Sequence, residues 1–319
     1  MDFQILINNL TNPSLLFFIL GVLAVKLKSD LEIPPTSAKF IALYLMISIG
    51  FKGGQELSHS EFTAGIFWAL AFGVLLSAAI PFYTFFILKR KVGVPNAAAI
   101  AAAYGSISAV TFVAAAAFLE AQGIGFGGHM VAVMALMEAP AIISGVILLR
   151  KNTPSKSEGG LKQIIIHAFI NSSVLLILGS LVIGLIADEK QAEGIKPFTN
   201  DLFKGFLAIF LLDMGVTSGR KLKTFLSLGW FPVIFAIVIP IVNGCIVALL
   251  SSFITHDISN RFIFAILAAS ASYIAVPAAM KISVPQSNPG LFLPMALAIT
   301  FPINITVGMP TYFLIVQNT

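Results

Sequence analysis

The chain has 319 residues, of which 58% are hydrophobic and 10% charged, with a mean hydropathy of +0.96. That composition excludes an ordinary soluble globular domain and places the chain in a bilayer. The net charge of +5 does not signal nucleic acid, because no basic patch is interleaved with stacking aromatics, and the single cysteine, Cys245, excludes an intrachain disulfide framework.

Apolar runs of spanning length fall at residues 14–28 (a short one), 38–56, 64–88, 95–119 and 129–149, then at 164–187, 203–219, 227–253, 261–280 and 291–316. The first has no basic n-region and no small-residue cleavage pattern, so it reads as a retained helix and not as a signal peptide. Between the two sets of five, Arg150 to Lys162 is a charged stretch containing Ser, Gly and Pro, of the kind that links repeats. The expected fold is an all-α polytopic membrane protein of ten transmembrane helices. Residues 1–150 would form the first five-helix unit, 151–163 a cytoplasmic linker and 164–319 the second unit. No Walker loop, paired metal-ligand motif or dinucleotide glycine fingerprint is present, so ATP-driven transport by this chain alone, a transition-metal site and an organic cofactor are not expected. No nucleophile and base pair at catalytic spacing, so the chain does not read as an enzyme.

Basic residues set the expected orientation, since cytoplasmic loops retain Lys and Arg. With the N-terminus outside, the cytoplasmic loops hold Lys26, Lys28, Lys39, Lys89, Arg90, Lys91, Arg150, Lys151, Lys156, Lys162, Arg220, Lys221, Lys223 and Lys281. Only Lys52, Lys190, Lys196, Lys204 and Arg261 remain on the other side. Both termini are therefore expected on the periplasmic face of a bacterial inner membrane.

The two halves match. Ser106 and Ser108, in Tyr-Gly-Ser-Ile-Ser-Ala-Val-Thr, align with Ser270 and Ser272, in Ala-Ser-Ala-Ser-Tyr-Ile-Ala-Val-Pro. Gly50 and Gly54 sit over Gly215 and Gly219, Gly21 over Gly179, and Pro140 over Pro302. Five spans per half is an odd number, so the second copy enters the membrane from the opposite side, giving an inverted repeat as in secondary transporters. A lone Ser-x-Ser is helix packing more often than binding. Duplicated at the same place in both halves, and followed by Pro277 in one, it points to broken helices in the fourth and ninth spans, whose freed backbone must line a cavity or be buried in protein.

Two half-helix N-termini meeting from opposite sides make a site for a compact anion. Ser106, Ser108, Thr111, Ser270 and Ser272 would add hydroxyl donors, with Gly105, Ala109 and Tyr273 beside them. Glu138, flanked by apolar residues and Pro140, is an ionisable group within a span and hence a candidate site. Its repeat partner is Thr300, with Asn304 one turn further on; their hard oxygen donors suit Na⁺. Asp213 is expected to pair with Arg220 or Lys221, while Glu120, His59, His129, His167 and His256 lie at span ends or in loops.

Ser270-Ala271-Ser272-Tyr273-Ile274-Ala275, Pro277 to Lys281, and Pro289 to Phe301 with Pro302 and Gly308 resemble the cyanobacterial-type sodium-dependent bicarbonate transporter family. Gly53-Gly54 and Pro140-Ala141 are similar to its first half. The resemblance implies two inverted five-helix repeats with a core of helices three to five and eight to ten and a scaffold of helices one, two, six and seven. It further implies a homotrimer whose cores move in an elevator-like displacement, bicarbonate and Na⁺ where helices four and nine cross, and in some members a cytosolic PII-like regulator. Two positions differ from the family pattern: Val110 replaces a hydroxyl in Ser108-Ala109-Val110-Thr111, and Glu138 stands where aspartate is expected. The expected function is Na⁺-coupled bicarbonate import. The alternatives are symport of another small anion, Na⁺/H⁺ antiport through Glu138, and an anion-sensing membrane receptor.

Overall fold

The computed structural model describes residues 11–61, 63–153, 166, 172–226, 229–273, 276, 280, 284 and 286–319. Most of the 151–163 linker, His167, Pro277 and Lys281 lie outside the described residues. Among the described residues all regular structure is helical. The helices are α1 (Pro13–Lys26), α2 (Pro35–Ser58), α3 (Ala64–Val92), α4 (Val94–Gly105), α5 (Ala109–Ala121), α6 (His129–Leu136) and α7 (Glu138–Asn152). They are followed by α8 (Ser172–Ile186), α9 (Glu189–Lys196), α10 (Phe203–Leu226), α11 (Trp230–Leu250) and α12 (Ile258–Ala269). The last is α13 (Pro289–Gln317), wound as π-helix over Met295–Thr300 and Asn304–Gly308.

Among the described residues six helical stretches are long and apolar enough to cross a membrane: 64–92, 94–121, 129–152, 189–222, 230–253 and 289–317. Helices α1, α8 and α12 are apolar but shorter. Local chemistry fixes the ends. Asn12 caps α1, its side chain accepting from the Ser14 N–H at 2.9 Å, and Pro13 occupies the first turn, where no N–H is needed. Gly93 (φ 80°) and Gly229 (φ 103°) supply the left-handed residues that let α3 turn into α4 and the chain turn into α11.

α1 packs along α10, and α2 along α8. Both contacts are backbone against backbone. A Cβ on Gly21 would lie 3.0 Å from Gly215 Cα and 2.8 Å from the Val216 nitrogen, and one on Gly50 would lie 2.7 Å from the Ile177 oxygen and from Ser180 Cβ. Gly179, which the sequence pairs with Gly21, has nothing within 4 Å of its would-be Cβ. The residue that meets Gly50 as Gly21 meets Gly215 is Ser180, one position on; in a helix one residue turns the side chain by about 100°, so apolar composition does not distinguish the two.

α4 and α12 form the interior. Every residue from Ala97 to Gly105 and from Ser259 to Ala269 is buried. The alanine run of α4 lets neighbours approach on every side, and its last residue, Gly105, fits against the Pro81 ring of α3, where a Cβ would be 2.5 Å from Pro81 Cδ. Arg220 pairs with Glu32 at 3.5 Å. Asp213, expected to pair with Arg220 or Lys221, is half-buried two turns back on α10 and interacts with Arg220 through its charge, while the exposed guanidinium reaches across to Glu32 in the segment after α1.

Candidate functional site

The fourth span is broken as expected. α4 ends at Ser106 (φ −82°, ψ 177°) and α12 ends at Ser270 (φ −84°, ψ 166°), so both twelve-residue helices stop at the aligned serine with the same extended backbone. Ser108 then starts α5, its hydroxyl accepting from the Thr111 N–H at 3.2 Å, and the Ser272 hydroxyl accepts from the Val276 N–H at 3.4 Å.

The two breaks are tied to each other. The Ser272 N–H donates to the Ala103 carbonyl at 2.8 Å. In the other direction the Ser108 N–H donates to Ser270 Oγ at 3.0 Å, and that hydroxyl donates to the Leu267 carbonyl at 2.9 Å. One half thus uses a direct backbone bond where the other inserts a hydroxyl. The Ser106 hydroxyl, aligned with that of Ser270, is buried with no hydrogen-bond partner.

A second break lies in the fifth span. α6 stops at Leu136 and α7 begins at Glu138, with Met137 between them. Pro140 falls in the first turn of α7, where its missing N–H is tolerated, and the Met137 carbonyl accepts from the Ser77 hydroxyl of α3. This break sets Glu138 at the N-terminus of a helix, where a carboxylate is favoured by the helix dipole.

Glu138 is 3% exposed, and its Oε1 has no hydrogen-bond partner. It lines a cavity of about 10 Å³ together with Ser108, Ala109, Ser272 and Tyr273, and with Met46 and Ser173 from α2 and α8. The Tyr273 hydroxyl points to Met214 Sδ of α10 at 3.6 Å. A carboxyl oxygen, serine hydroxyls and Ala109, the first residue of α5, therefore share one small space at the start of a helix. The oxygens suit a hard cation and the helix start a small anion.

Of the residues expected at the site, Ser108, Ala109, Ser272, Tyr273 and Glu138 meet at this cavity. Gly105, Ser106, Thr111 and Ser270 are buried beside it without lining it. Thr300 and Asn304 lie apart from its lining. Thr300 Oγ1 bonds the Ala236 carbonyl at 2.9 Å and the Tyr104 hydroxyl at 2.8 Å. Asn304 Nδ2 donates to the Ala269 carbonyl at 2.7 Å while its Oδ1 accepts from Tyr312 at 3.3 Å. Asn304 thus caps the end of α12, one residue before the break. Val110 is buried outside the lining, so the valine takes no donor from it. Sequence reading missed Met46 and Ser173; Ser173 follows Asn171-Ser172 at the start of an apolar run, a weak polar signal, and Met46 carries none.

A second cavity, of about 630 Å³, lies further along α2 and α5, bounded by Ile49, Lys52, Ala116 and Glu120 and by Glu193 of α9. On α2 its inner edge, Ile49, is less than one turn from Met46 of the small cavity.

No curated protein matches the sequence. Residues 13–317 match the Na⁺-dependent bicarbonate transporter superfamily, nearly the whole chain. With its apolar spanning helices and that match, the chain is a multi-pass membrane protein and belongs to the Na⁺-dependent bicarbonate transporter superfamily.

Proposed function

We propose that this chain imports bicarbonate by coupling it to Na⁺, and that the cavity holding Glu138, Ser108, Ser272 and Tyr273 is where the two ions meet. The observation that carries this reading is the partnerless carboxyl oxygen of Glu138 beside the broken-helix serines. A buried carboxylate with an oxygen left unpartnered is costly, and Na⁺ entering with the substrate supplies the missing charge. The anion is then held by Ser108, Ser272 and the first turn of α5. In this reading Thr300 and Asn304 support the Na⁺ side from the end of α12, while Gly105, Ser106, Ala109, Thr111 and Ser270 shape the anion side.

A 10 Å³ space holds about one water and is too small for the four heavy atoms of bicarbonate. Loading therefore requires the space to widen, and the 630 Å³ chamber beyond Ile49 is the route from outside. The expected mechanism is alternating access between two inverted five-helix repeats, 1–150 and 164–319. A core of spans three to five and eight to ten moves against a scaffold of spans one, two, six and seven in a homotrimer of the bacterial inner membrane, both termini periplasmic. The reciprocal packing of α1 on α10 and α2 on α8, and the equal ends of α4 and α12, support the repeat. A PII-like cytosolic regulator remains part of the expectation from the family.

The test is uptake of labelled bicarbonate into proteoliposomes at mildly alkaline pH, with and without an inward Na⁺ gradient, against acetate and other small anions. Gradient-dependent uptake that competitors do not reduce is the expected result. Folded protein that takes up no bicarbonate under either condition would overturn the assignment. A Na⁺-driven pH change without any anion, lost in Glu138→Gln, would favour antiport. Substrate binding without counterflow would favour a receptor.

A further inference from the structure

A third cavity, of about 310 Å³, lies where the end of α3 meets the starts of α4 and α11. Lys91, Asn96, Trp230, Phe231 and Asn288 are on its wall, and no acidic residue is among the described residues that line it. The contrast with the 630 Å³ chamber is sharp, since Glu56, Glu120, Glu189 and Glu193 all line that one. Lys91 sits over the Phe231 ring at 5.9 Å and follows Lys89 and Arg90 in the last turn of α3. Its neighbour Lys89 is already engaged with the Phe86 ring at 4.4 Å and with Asn152 Oδ1 at 3.4 Å. Asn96 is engaged too, accepting from the Asn288 N–H at 2.8 Å, which fixes the cavity's far wall.

From this cavity an apolar stripe runs down the outside of α11. Trp230, Ile234, Val238, Val242 and Ile246 recur every four residues and are 68%, 48%, 45%, 41% and 50% exposed. The stripe is roughly 24 Å long at 1.5 Å per residue, most of the ~30 Å hydrocarbon thickness. It begins at Trp230, an indole of the type that sits at the level of lipid headgroups.

A cavity with Lys91 and no described acidic residue on its wall, at the head of an apolar stripe most of a hydrocarbon thickness long, fits an anionic headgroup with an acyl chain below it. We propose that it binds the headgroup of an anionic phospholipid, with the phosphate at Lys91, Trp230 beside the headgroup and an acyl chain along Ile234 and Val238. The site lies away from the Glu138 cavity and does not depend on which anion the protein carries.

The chain has two tryptophans, Trp68 and Trp230. In a Trp68→Phe background, fluorescence of Trp230 reports its lipid neighbours when brominated phosphatidylglycerol or brominated phosphatidylcholine is added to unbrominated phosphatidylcholine vesicles containing the full chain. The expected result is preferential quenching by the anionic lipid, with relative association falling about five-fold in Lys91→Gln and further in Lys91→Glu. Size-exclusion profiles matching the parent establish that both variants fold. Equal quenching by the two lipids in the parent would overturn the proposal. Loss of the preference on adding millimolar inorganic phosphate at constant ionic strength would also overturn it, and would assign the cavity to free phosphate. No quenching by either lipid would mean that a second copy of the chain covers Trp230, which is equally fatal.

Discussion

Ser106 and Ser270 occupy the same place in the two halves, yet their replacement by alanine should have opposite consequences. Ser270 Oγ accepts from the buried Ser108 N–H at 3.0 Å and donates to Leu267 O at 2.9 Å. Ser270→Ala leaves Leu267 O with its bond from the Ser270 N–H, but strips the Ser108 N–H of its acceptor. An unsatisfied buried donor costs about 1–3 kcal/mol. For a chain of this size that is a fall in Tm of roughly 2–6 °C, at ~2 °C per kcal/mol. Ser106→Ala removes a hydroxyl that has no partner, so its Tm should hold or rise slightly. The assay is the loss of the monodisperse peak of detergent-purified protein after heating, with both variants run beside the parent. Equal losses, or a larger one for Ser106→Ala, would refute the claim that one break is bridged by a hydroxyl and the other directly by backbone.

Glu138→Gln keeps the side chain's volume and removes its charge; half-maximal activation of uptake should move to higher Na⁺ by roughly 10- to 150-fold, the equivalent of a hydrogen bond to a charged group, and unchanged Na⁺ activation would place the cation elsewhere. Gly21→Leu should lower the yield of folded protein, because its Cβ would already lie 2.8 Å from the Val216 nitrogen and overpacking costs about 1–3 kcal/mol. Gly179→Ala, with nothing within 4 Å, should leave yield and Tm unaltered, and a matching loss would restore the sequence pairing of the two glycines. His59, at the end of α2, has its pKa raised by the Gln55 carbonyl first and then by Glu189. A raised folded pKa means that the stability from the His59–Glu189 contact is fully present below the unfolded value of about 6.5 and is lost as pH rises through the folded one. Hydrogen exchange in α9 should therefore be slower at pH 5.5 than at pH 8.5 beyond the intrinsic pH effect, and His59→Gln should abolish that difference.

What the sequence made legible is what depends on composition and on residue type along the chain. Long apolar runs mark spans because the bilayer leaves few other structures available. The Ser-x-Ser pairs mark breaks because a hydroxyl-rich cluster at equivalent places in two apolar runs has little reason to recur in unbroken helices. The break before Glu138 was less visible: Pro140 signals it, but a proline in a first turn and one inside a helix look alike until the Met137 carbonyl is seen to be taken by Ser77. Rotation about a helix was not legible either. Gly179 and Ser180 differ by one position and by which neighbour they meet, and that depends on packing between helices far apart in sequence. For the same reason Ser173 and Met46 were missed at the cavity, and Glu32 was missed as the ion-pair partner of Arg220.

The mutual bonds at the two helix breaks have a consequence for how the protein is made. Ser108 finds its acceptor 162 residues further along the chain, and Ala103 waits for Ser272. A ribosome adding ~5–20 residues per second takes roughly 8–30 s to supply those partners. For that interval the break in the first half exposes polar backbone that lipid will not accept, so the nascent segment must stay a continuous helix or remain sheltered beside the insertion machinery. The break gains its bonds only when the second half arrives, and a ribosome stalled before residue 270 leaves a chain that has inserted its helices but has no way to build its site.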